Sequence, residues 1–519
     1  MKLEGIDIEV TQVPGAVKVF RAAVDAALWT ATCLRVKEKG GRLVALWGVD
    51  AREDGRGFAM CAALAVREGL LVLSLPLAGE SYPHLCAIFP AADRMQRATH
   101  DLLGLVATGA GDHRKWLRHV AWPADVFPLR KDFVTTHESR VTSHPSEGAD
   151  AYPFVRVEGE GVHEIPVGPV HAGTIEPGHF RFSIVGERVL RLEERLGYKH
   201  KAIEKRFEEM SLAQGARLAG RVSGDSTVAY AWAYAMAVES AAGVAPPLRA
   251  LLLRALLLER ERIANHLGDL GFLGNDAGLA FGFSQFSCLK EDMLRLNQQL
   301  FGHRYLMDVV APGGIARDLP SHGVARLAEE CDTLERSVAV LKGIYDEHAG
   351  LQDRFIACGR VVPELAAKMG LVGLAGRASG QSWDLRVEYP CVPYDELDVS
   401  MATHRNGDVA ARVTVRFEEV LESLRLQRLI LARLPLGDFA ADVSVPAAGA
   451  FGVGWVEGWR GEVLFALEAG SDGRIRRCHP HDPSWQNWPL LEHAVIGNIV
   501  PDFPLINKSF NLSYSGHDL

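Results

Sequence analysis

The first 135 residues combine short apolar or alternating runs with one polar helical segment. The runs 42–47 and 69–75 are short and rich in Leu and Val, which is typical of strands. A polar segment that ends at 100–104 has the character of a helix. We therefore predict a small N-terminal α+β domain over residues 1–135.

Residues 136–165 show no hydrophobic period. They are rich in Thr, His, Ser, Glu and Gly, and this composition predicts a linker. Strict alternation of apolar and polar positions returns over 180–190, which predicts a β-hairpin.

After residue 198 the apolar positions recur at i, i+3 and i+4, the period of amphipathic helices. Residues 450–480 return to short strands with glycine turns, and the tail from Trp485 predicts a helix followed by a loop. We therefore predict a large, mostly helical domain with short peripheral sheets over residues 166–519, and an α+β fold class for the chain. The predicted helices are 201–218, 226–242, 247–272, 286–307, 321–349 and 409–434.

Composition then narrows the functional classes. The net charge of −9 over 519 residues argues against nucleic-acid binding. No window approaches the ~18 uninterrupted apolar residues of a membrane span, so we expect a cytoplasmic protein that meets a membrane through partners. There is no Walker loop and no strand–GxGxxG–helix unit, so direct NAD binding is not predicted. The eight cysteines form no C-x-x-C pair, and only Cys478 is near enough to the C-terminal tail to be a substitute metal ligand.

Two short segments carry the most specific motifs. Residues 221–226 read Arg-Val-Ser-Gly-Asp-Ser, and residues 511–519 read Asn-Leu-Ser-Tyr-Ser-Gly-His-Asp-Leu. They resemble the R-x-C-G-x-C and D-P-C-x-x-C motifs of nickel–iron hydrogenase large subunits, with every cysteine replaced. The resemblance places the four nickel-ligand positions at Ser223, Ser226, Ser513 and Gly516.

Nickel in those enzymes lies among thiolates, because soft sulfur suits a metal that changes its redox state. A neutral serine hydroxyl is a poor, hard ligand, and glycine has no side chain. We therefore predict that this chain holds no metal, and that small polar groups and water fill the former metal position. An active hydrogenase with unusual ligands is the alternative that bound nickel and hydrogen uptake would favour.

Longer motifs extend the resemblance along the chain. Segments 81–90, 100–104 and 127–133 resemble the 30 kDa subunit of respiratory complex I. Segments 168–171, 176–181, 198–205, 312–319 and 379–386 resemble its 49 kDa subunit and, more closely, the large subunits of formate hydrogenlyase and hydrogenase-4 complexes. A fusion of the two regions in one chain is what hydrogenase-4-type large subunits show.

The resemblance also implies candidate site residues. Glu204 matches a glutamate implicated in proton transfer in hydrogenases, and partial burial is expected to raise its pKa. The alternative is an ordinary glutamate near a helix N-terminus. Complex I offers a quinone headgroup a tyrosine and a histidine. The position of the tyrosine is Gly224 here, and His179 is the better counterpart of the histidine, with His171 in the same loop.

A buried carboxylate–guanidinium pair is predicted at Asp384 and Arg386, which flank Leu385 after a glycine-containing turn. The pair either faces a cavity or is a structural salt bridge. Glu259 and Arg262 are spaced to pair along one helix, and Arg262 lies one turn before His266. That helix lies beside the active cavity in the resembling families.

Together these features predict a peripheral large subunit of a complex I-like or energy-converting hydrogenase-related membrane complex, located on the cytoplasmic side of the inner membrane. Its expected partners are a small iron–sulfur subunit and integral membrane subunits, with electron transfer coupled to proton or ion movement. One alternative is reduction of a quinone-like acceptor at the remodelled cavity, which a cavity lined by His179, Glu204 and Asp384 would favour. The other is a noncatalytic scaffold or coupling subunit, which a cavity closed by side chains would favour. Whether the chain is itself an enzyme is left open by the sequence.

Overall fold

The computed structural model describes residues 3–119, 122–133, 152–171 and 175–519. The N-terminal region is a mixed sheet with two helices. Strand order in its five-stranded sheet is β1-β2-β5-β4-β3, with β2 and β5 parallel and the other neighbours antiparallel, while β6 and β7 form a parallel pair. The elements are β1 (Thr11–Val13), β2 (Val19–Ala23), α1 (Ala26–Glu38), β3 (Arg42–Asp50), β4 (Phe58–Val66), β5 (Gly69–Leu77), β6 (Ser81–Pro83), α2 (Ala92–Leu103) and β7 (Val106–Thr108).

Both faces of this N-terminal sheet are covered. Every residue of β3 is buried. Leu43 and Leu46 pack into an apolar cluster shared with α2, whereas Val44 and Trp47 pack into a second cluster that contains Phe465 of the C-terminal region. Because successive strand residues point to opposite faces, this sheet is packed between its own helices and the larger region.

The larger region begins with an antiparallel sheet of order β10-β9-β8, is helical through its middle, and ends with an antiparallel sheet of order β13-β14-β15 followed by three short helices. Strands β11 and β12 form a small hairpin. The elements are β8 (Val162–Val167), β9 (His179–Val185), β10 (Arg188–Arg195), α3 (Ile203–Phe207), α4 (Leu212–Ala219), α5 (Thr227–Ala242), α6 (Leu248–Asp276), α7 (Ala280–Phe301), β11 (Val310–Ala311), β12 (Gly314–Ile315), α8 (Ser321–Glu347), α9 (Ala349–Phe355), α10 (Pro363–Met369), α11 (Gly373–Ala378), α12 (Leu385–Glu388), α13 (Val409–Arg433), β13 (Phe451–Glu457), β14 (Glu462–Ala469), β15 (Ile475–His481), α14 (Ser484–Ala494), α15 (Phe503–Phe510) and α16 (Tyr514–Asp518).

Helices α5 and α6 form the interior of the larger region. Residues 227–240 of α5 are all buried, as expected for a helix that is apolar on every side. In α6 the charged residues Glu259 and Arg262 are fully buried and form an ion pair at 3.1 Å. The predicted pairing of Glu259 with Arg262 is therefore confirmed, and the face of α6 that carries them is buried in the protein interior.

The α+β class and most predicted elements are confirmed, with three corrections. The predicted helix 201–218 is broken into α3 and α4, because Glu208 leaves helical geometry with ψ 137° and Glu209 follows with φ +68°. The predicted helix 286–307 ends at Phe301, because Gly302 adopts φ +86°. The tail after α14 contains two further helices, α15 and α16, where a loop was predicted.

The predicted linker 136–165 is only partly described, since residues 134–151 lie outside the described residues. Its C-terminal end is wrong, because β8 begins at Val162 and pairs with β9. All eight cysteines are free thiols, six of them buried. Among the described residues, no helix has both the length and the apolar character that crossing a membrane requires.

Candidate functional site

The two serine motifs meet inside the larger region. Ser223 lies just before α5 and Ser513 caps α16, and their hydroxyl oxygens lie 2.9 Å apart. The Ser513 hydroxyl also accepts a hydrogen bond from the Gly516 backbone N–H at 2.8 Å, as an N-cap residue does. Both serines are 3% exposed. We call this meeting point, formed by 223–226 and 511–516, the motif junction.

A guanidinium group lies at the motif junction. Arg460, on the turn between β13 and β14, donates to both carboxylate oxygens of Asp225 at 2.9 and 2.5 Å and to the Ser226 hydroxyl at 3.2 Å. It also donates to the carbonyl oxygen of Asn511 at 2.5 Å. Burial acts to lower the pKa of Arg460, but the charge of Asp225 outweighs it and raises that pKa. One arginine thus ties the two motif segments together.

The fourth motif position has no room for a side chain. A Cβ atom on Gly516 would lie 2.5 Å from Asp482 Oδ2 and 2.7 Å from the Tyr230 hydroxyl. These two groups are bonded to each other, since the Tyr230 hydroxyl donates to Asp482 at 2.6 Å. Both are buried, and burial together with the Asp482 charge raises the pKa of Tyr230. A cysteine here would displace a buried, satisfied pair.

The residues at the motif junction therefore do not fit a four-thiolate nickel centre. The four motif positions offer three hydroxyls and a glycine backbone beside the Arg460 guanidinium, and hard neutral oxygens beside a fixed positive charge do not suit a soft cationic site. Among the described residues, no group of three or more His, Cys, Asp or Glu is arranged to hold a metal ion. Cys478 does not substitute, because its thiol is buried in β15 within the apolar core, where burial raises its pKa.

An open cavity of about 1460 Å³ lies over the motif junction. Ser223, Ser513 and Arg460 contribute to its lining, and apolar side chains at its mouth include Phe272 and Tyr305, which are 42% and 45% exposed. The cavity thus joins polar groups in the interior to an apolar opening, as is common in ligand sites. We call it the junction cavity.

Two charged groups of the junction cavity, Asp269 and Lys290, differ in whether they have an ion-pair partner. Asp269 forms ion pairs with Lys508 and Arg416, each at 3.0 Å, and these cations outweigh burial and lower its pKa. Lys290, in contrast, makes no hydrogen bond or ion pair with any described residue. Burial lowers the pKa of its ammonium group. Lys290 is therefore a cation available to a ligand.

A protonated carboxyl lies behind the motif junction. Glu261 of α6 accepts hydrogen bonds from the backbone N–H groups of Val228 and Ala229, at 2.6 and 3.1 Å. Burial is the main cause that raises the pKa of Glu261 to about 8, and the nearby charge of Asp225 adds to it. This carboxyl can therefore hold or release a proton close to neutral pH.

Glu204 lies in different surroundings from those predicted. Its carboxylate pairs with Arg477 at 2.6 Å and with His479 Nδ1 at 2.8 Å. Burial acts to raise the pKa of Glu204, but these partners dominate and lower it to about 2. The expectation of a raised pKa was wrong, because burial here comes with a cation. Glu204 lines a small internal cavity between the two regions of the chain, near Trp47 and His481.

Asp384 and Arg386 form the predicted buried pair, with a bidentate contact at 2.7 and 3.0 Å. Arg386 also contacts Glu259 at 3.1 Å, and Arg377 lies 3.7 Å from Asp384. Burial acts to raise the pKa of Asp384, but Arg386 and Arg377 lower it to about 2. This network fixes α6, α11 and α12 to one another, which is the structural salt bridge of the two alternatives.

His179 lines a cavity that shares no lining residue with the junction cavity. Its Nδ1 lies 3.1 Å from the carbonyl oxygen of Gly168, and its ring packs on Phe154. Burial lowers the pKa of His179. His171 lies before β9, outside any helix or strand, and is part-buried. The structure therefore does not bring His179, Glu204 and Asp384 together around one cavity.

The residues that sequence reasoning missed are those that surround the serines: Arg460, Asp482, Glu261 and Lys290. Each lies far along the chain from at least one motif that it contacts or faces. The signal available for Arg460 was the Gly-Trp-Arg-Gly turn at 458–461, a compact basic turn between two predicted strands. No local pattern distinguishes Asp482 or Lys290 from surface charges.

Comparison with known proteins agrees with this architecture. The family model for the 30 Kd subunit of respiratory-chain NADH dehydrogenase matches residues 22–139, and that for the 49 Kd subunit matches residues 276–448. Formate hydrogenlyase subunit 5 of Escherichia coli is 31% identical over 93% of this chain and 85% of its own length. Hydrogenase-4 component G of the same organism is 30% identical over 92% of this chain and 84% of its own length.

The chain belongs to the family of these large subunits, in which 30 kDa and 49 kDa complex I-like regions are fused. The C/D polypeptide of the NADH-quinone oxidoreductase of Bacteroides thetaiotaomicron, 27% identical over 83% of this chain and 86% of its own length, has a similar extent. A chain from the structure of the membrane-bound sulfane sulfur reductase, an archaeal respiratory membrane complex, matches with a TM-score of 0.65 at 24% identity. The match covers 69% of this chain and 99% of that one, and shows the shared fold.

Proposed function

We propose that this chain is the peripheral large subunit of a membrane-bound oxidoreductase complex of the complex I and hydrogenase-4 type, and that it works without a nickel–iron centre. The observation that carries this proposal is the motif junction. Arg460 and Asp225 occupy it, the serine hydroxyls face each other, and Asp482 leaves no space for a ligand at Gly516. The complex then transfers its electrons to an acceptor other than protons at a nickel centre.

The acceptor is proposed to bind in the junction cavity. The cavity is open. A subunit that served only as a scaffold would have no use for such a space. Lys290 supplies a positive charge with which no described residue forms an ion pair, and the Arg460 guanidinium lines the same cavity. A positive charge beside an electron acceptor stabilises the negative charge that reduction creates. This chain's residues thus bind and orient the acceptor.

Glu261 is the group we assign to proton handling. Its pKa of about 8 leaves it protonated near neutral pH, and it lies behind the Asp225 side of the motif junction. When an acceptor takes up electrons, the added negative charge favours uptake of a proton nearby. Glu204, which sequence reasoning favoured, is held ionised by Arg477 and is therefore unsuited to donate a proton.

The acceptor that the cavity favours is a quinone-like molecule. The exposed rings of Phe272 and Tyr305 at the mouth offer apolar contact, and the polar interior offers hydrogen bonds. The site differs from the tyrosine–histidine pair implied for complex I, because Gly224 holds the tyrosine position and His179 lines another cavity. An acceptor headgroup would therefore contact Lys290 and Arg460.

We propose that electrons arrive from an iron–sulfur cluster in an adjacent small subunit, that integral membrane subunits anchor the complex, and that the chain lies on the cytoplasmic side of the inner membrane. Family membership supports this assignment, since relatives carry names of subunits of formate hydrogenlyase, hydrogenase-4 and NADH-quinone oxidoreductase.

Capture of the tagged full-length chain from native membranes tests the assignment. Mass spectrometry should find a small iron–sulfur subunit and integral membrane subunits in constant ratio with the chain, and solvent extraction should release a bound quinone. A matched capture with Lys290→Met should retain the same subunits and lose most of the quinone. Capture of the chain without membrane subunits would contradict the proposal.

A further inference from the structure

A second cavity, of about 1010 Å³, opens beside the β9–β10 hairpin. Its described lining contains five arginine or lysine side chains and three histidines, and no carboxylate. None of its lining residues belongs to the junction cavity, so a role for this second cavity is independent of the proposed function. We call it the basic cavity.

Two guanidinium groups of the basic cavity are buried without a counter-ion. Arg195 and Arg118 are 4% and 3% exposed. Arg195 donates to the carbonyl oxygens of Lys115 and Arg118 at 2.9 and 2.6 Å, and Arg118 donates to those of Ala124 and Val126 at 2.5 and 3.0 Å. Among the described residues, neither arginine forms an ion pair with a carboxylate.

The other two arginines of the wall have partners. Arg114 pairs with Asp112 at 2.6 Å, and Arg181 pairs with Glu164 at 2.8 Å. Carbonyl dipoles satisfy the N–H groups of Arg118 and Arg195 but do not cancel their charge. Burial lowers the pKa of Arg195, and the charge of Asp101, which forms no direct ion pair with it, offsets this only in part. These two arginines therefore give the cavity positive charge that no direct ion pair with a described residue cancels.

The aromatic side chains of the basic cavity hold the guanidinium groups in place. The Arg195 guanidinium lies 4.7 Å from the ring centre of Tyr152, and that of Arg181 lies 4.6 Å from that of Phe154. Stacking on a ring restricts the rotation of a long side chain. The positive groups are thus preorganised around open space.

We propose that the basic cavity binds a phosphate group that carries close to two negative charges. Guanidinium groups match the oxygens of phosphate with parallel N–H donors. A phosphate monoester carries about −1.5 to −2 charge near neutral pH, which balances the excess of the cavity better than a carboxylate does. Arg181 is the hydrogen-bonding contact, because its side chain is 29% exposed at the edge of the cavity.

The phosphate has two possible sources, a soluble phosphate compound and the headgroup of an anionic lipid such as phosphatidate. Both present the same chemistry to the cavity. Calorimetry of the full-length chain with inorganic phosphate, at ionic strength held constant with chloride, tests the soluble source. Cosedimentation with phosphatidylcholine vesicles, with and without phosphatidate, tests the lipid source.

The discriminating variant is Arg181→Gln, which removes the contact and leaves the Glu164 carboxylate behind. It should weaken phosphate or phosphatidate binding at least about tenfold, while Arg188→Gln, an exposed arginine on the same hairpin, should leave binding unchanged. Circular dichroism of both variants checks the fold. Saturable binding in either arm that Arg181→Gln weakens supports the proposal and identifies the source. The proposal is overturned by no saturable binding in both arms, or by equal binding of Arg181→Gln and wild type.

Discussion

The hydroxyl oxygens of Ser223 and Ser513 lie 2.9 Å apart although 290 positions separate them in the chain. Each serine also has a local partner, Asp225 for Ser223 and the Gly516 N–H for Ser513. The contact joins the start of α5 to the last helix and leaves no gap between the two motif segments. The motif junction is therefore a closed hydrogen-bonded structure next to an open cavity.

Arg460 is predicted to stabilise the motif junction. Arg460→Met removes a buried guanidinium and leaves the Asp225 carboxylate, whose side chain is 40% exposed, without its cationic partner. Because the Asp225 side chain is partly exposed to solvent, the expected loss in the free energy of unfolding is about 1–3 kcal/mol, below the cost for a fully buried pair. Urea denaturation measures it. Arg474→Met, which breaks an exposed pair, should cost less than about 0.5 kcal/mol, and equal losses would contradict this account.

Space at Gly516 is predicted to be the limiting factor for any side chain there. Gly516→Ala places a Cβ 2.5 Å from Asp482 Oδ2, and overpacking of this kind costs about 1–3 kcal/mol. Gly224→Ala is the matched control, because nothing lies within 4 Å of its Cβ position. Thermal unfolding of the two variants should differ clearly. A Gly516→Ala variant as stable as Gly224→Ala would show that Asp482 does not close the site.

Glu204 is predicted to make stability depend on pH in the acid range. Its pKa is about 2 in the folded protein and about 4.3 in the unfolded chain, so its contribution is present above the unfolded pKa and is lost as pH falls through the folded one. Between pH 6 and 3.5 the contribution should fall by about 1 kcal/mol.

The measurement is the difference in unfolding free energy between wild type and Glu204→Gln across that range. The difference should shrink as the pH falls, because glutamine does not titrate. A difference that stays constant from pH 6 to 3.5 would mean that the pKa of Glu204 is not lowered by Arg477 and His479.

Lys290 is predicted to bind the acceptor while contributing nothing to, or slightly lowering, the thermal stability of the fold. Since burial lowers its pKa and no described residue pairs with it, Lys290→Met should leave the thermal midpoint unchanged or slightly higher. In the purified complex the same variant should raise KM for the acceptor with a smaller effect on kcat. Lys342→Met, which removes an exposed ion pair with Asp346, should leave KM unchanged. Unchanged KM in Lys290→Met would remove Lys290 from the binding site.

Periodicity predicted most of the fold because the helices and strands bury one regular face or are apolar on all sides. It failed at Glu208 and Glu209, where an extended and then a left-handed residue interrupt the helix, and at Gly302, where a left-handed residue ends one. The serine motifs were visible in the sequence, and their meeting followed from the resemblance. The roles of Arg460 and Asp482 could not be predicted from the sequence, because they come from tertiary contacts with residues far along the chain. The pKa of Glu204 was misjudged for the same reason, since burial was foreseen and its partner Arg477 was not.

The metal content of the purified native complex tests the central claim most directly. Elemental analysis, normalised to the amount of this chain and combined with a hydrogen-uptake assay, should find nickel far below one atom per chain and no hydrogen uptake, with iron present from the partner subunit. One nickel per chain that is lost in Arg460→Met or Gly516→Ala, together with hydrogen uptake, would contradict the account.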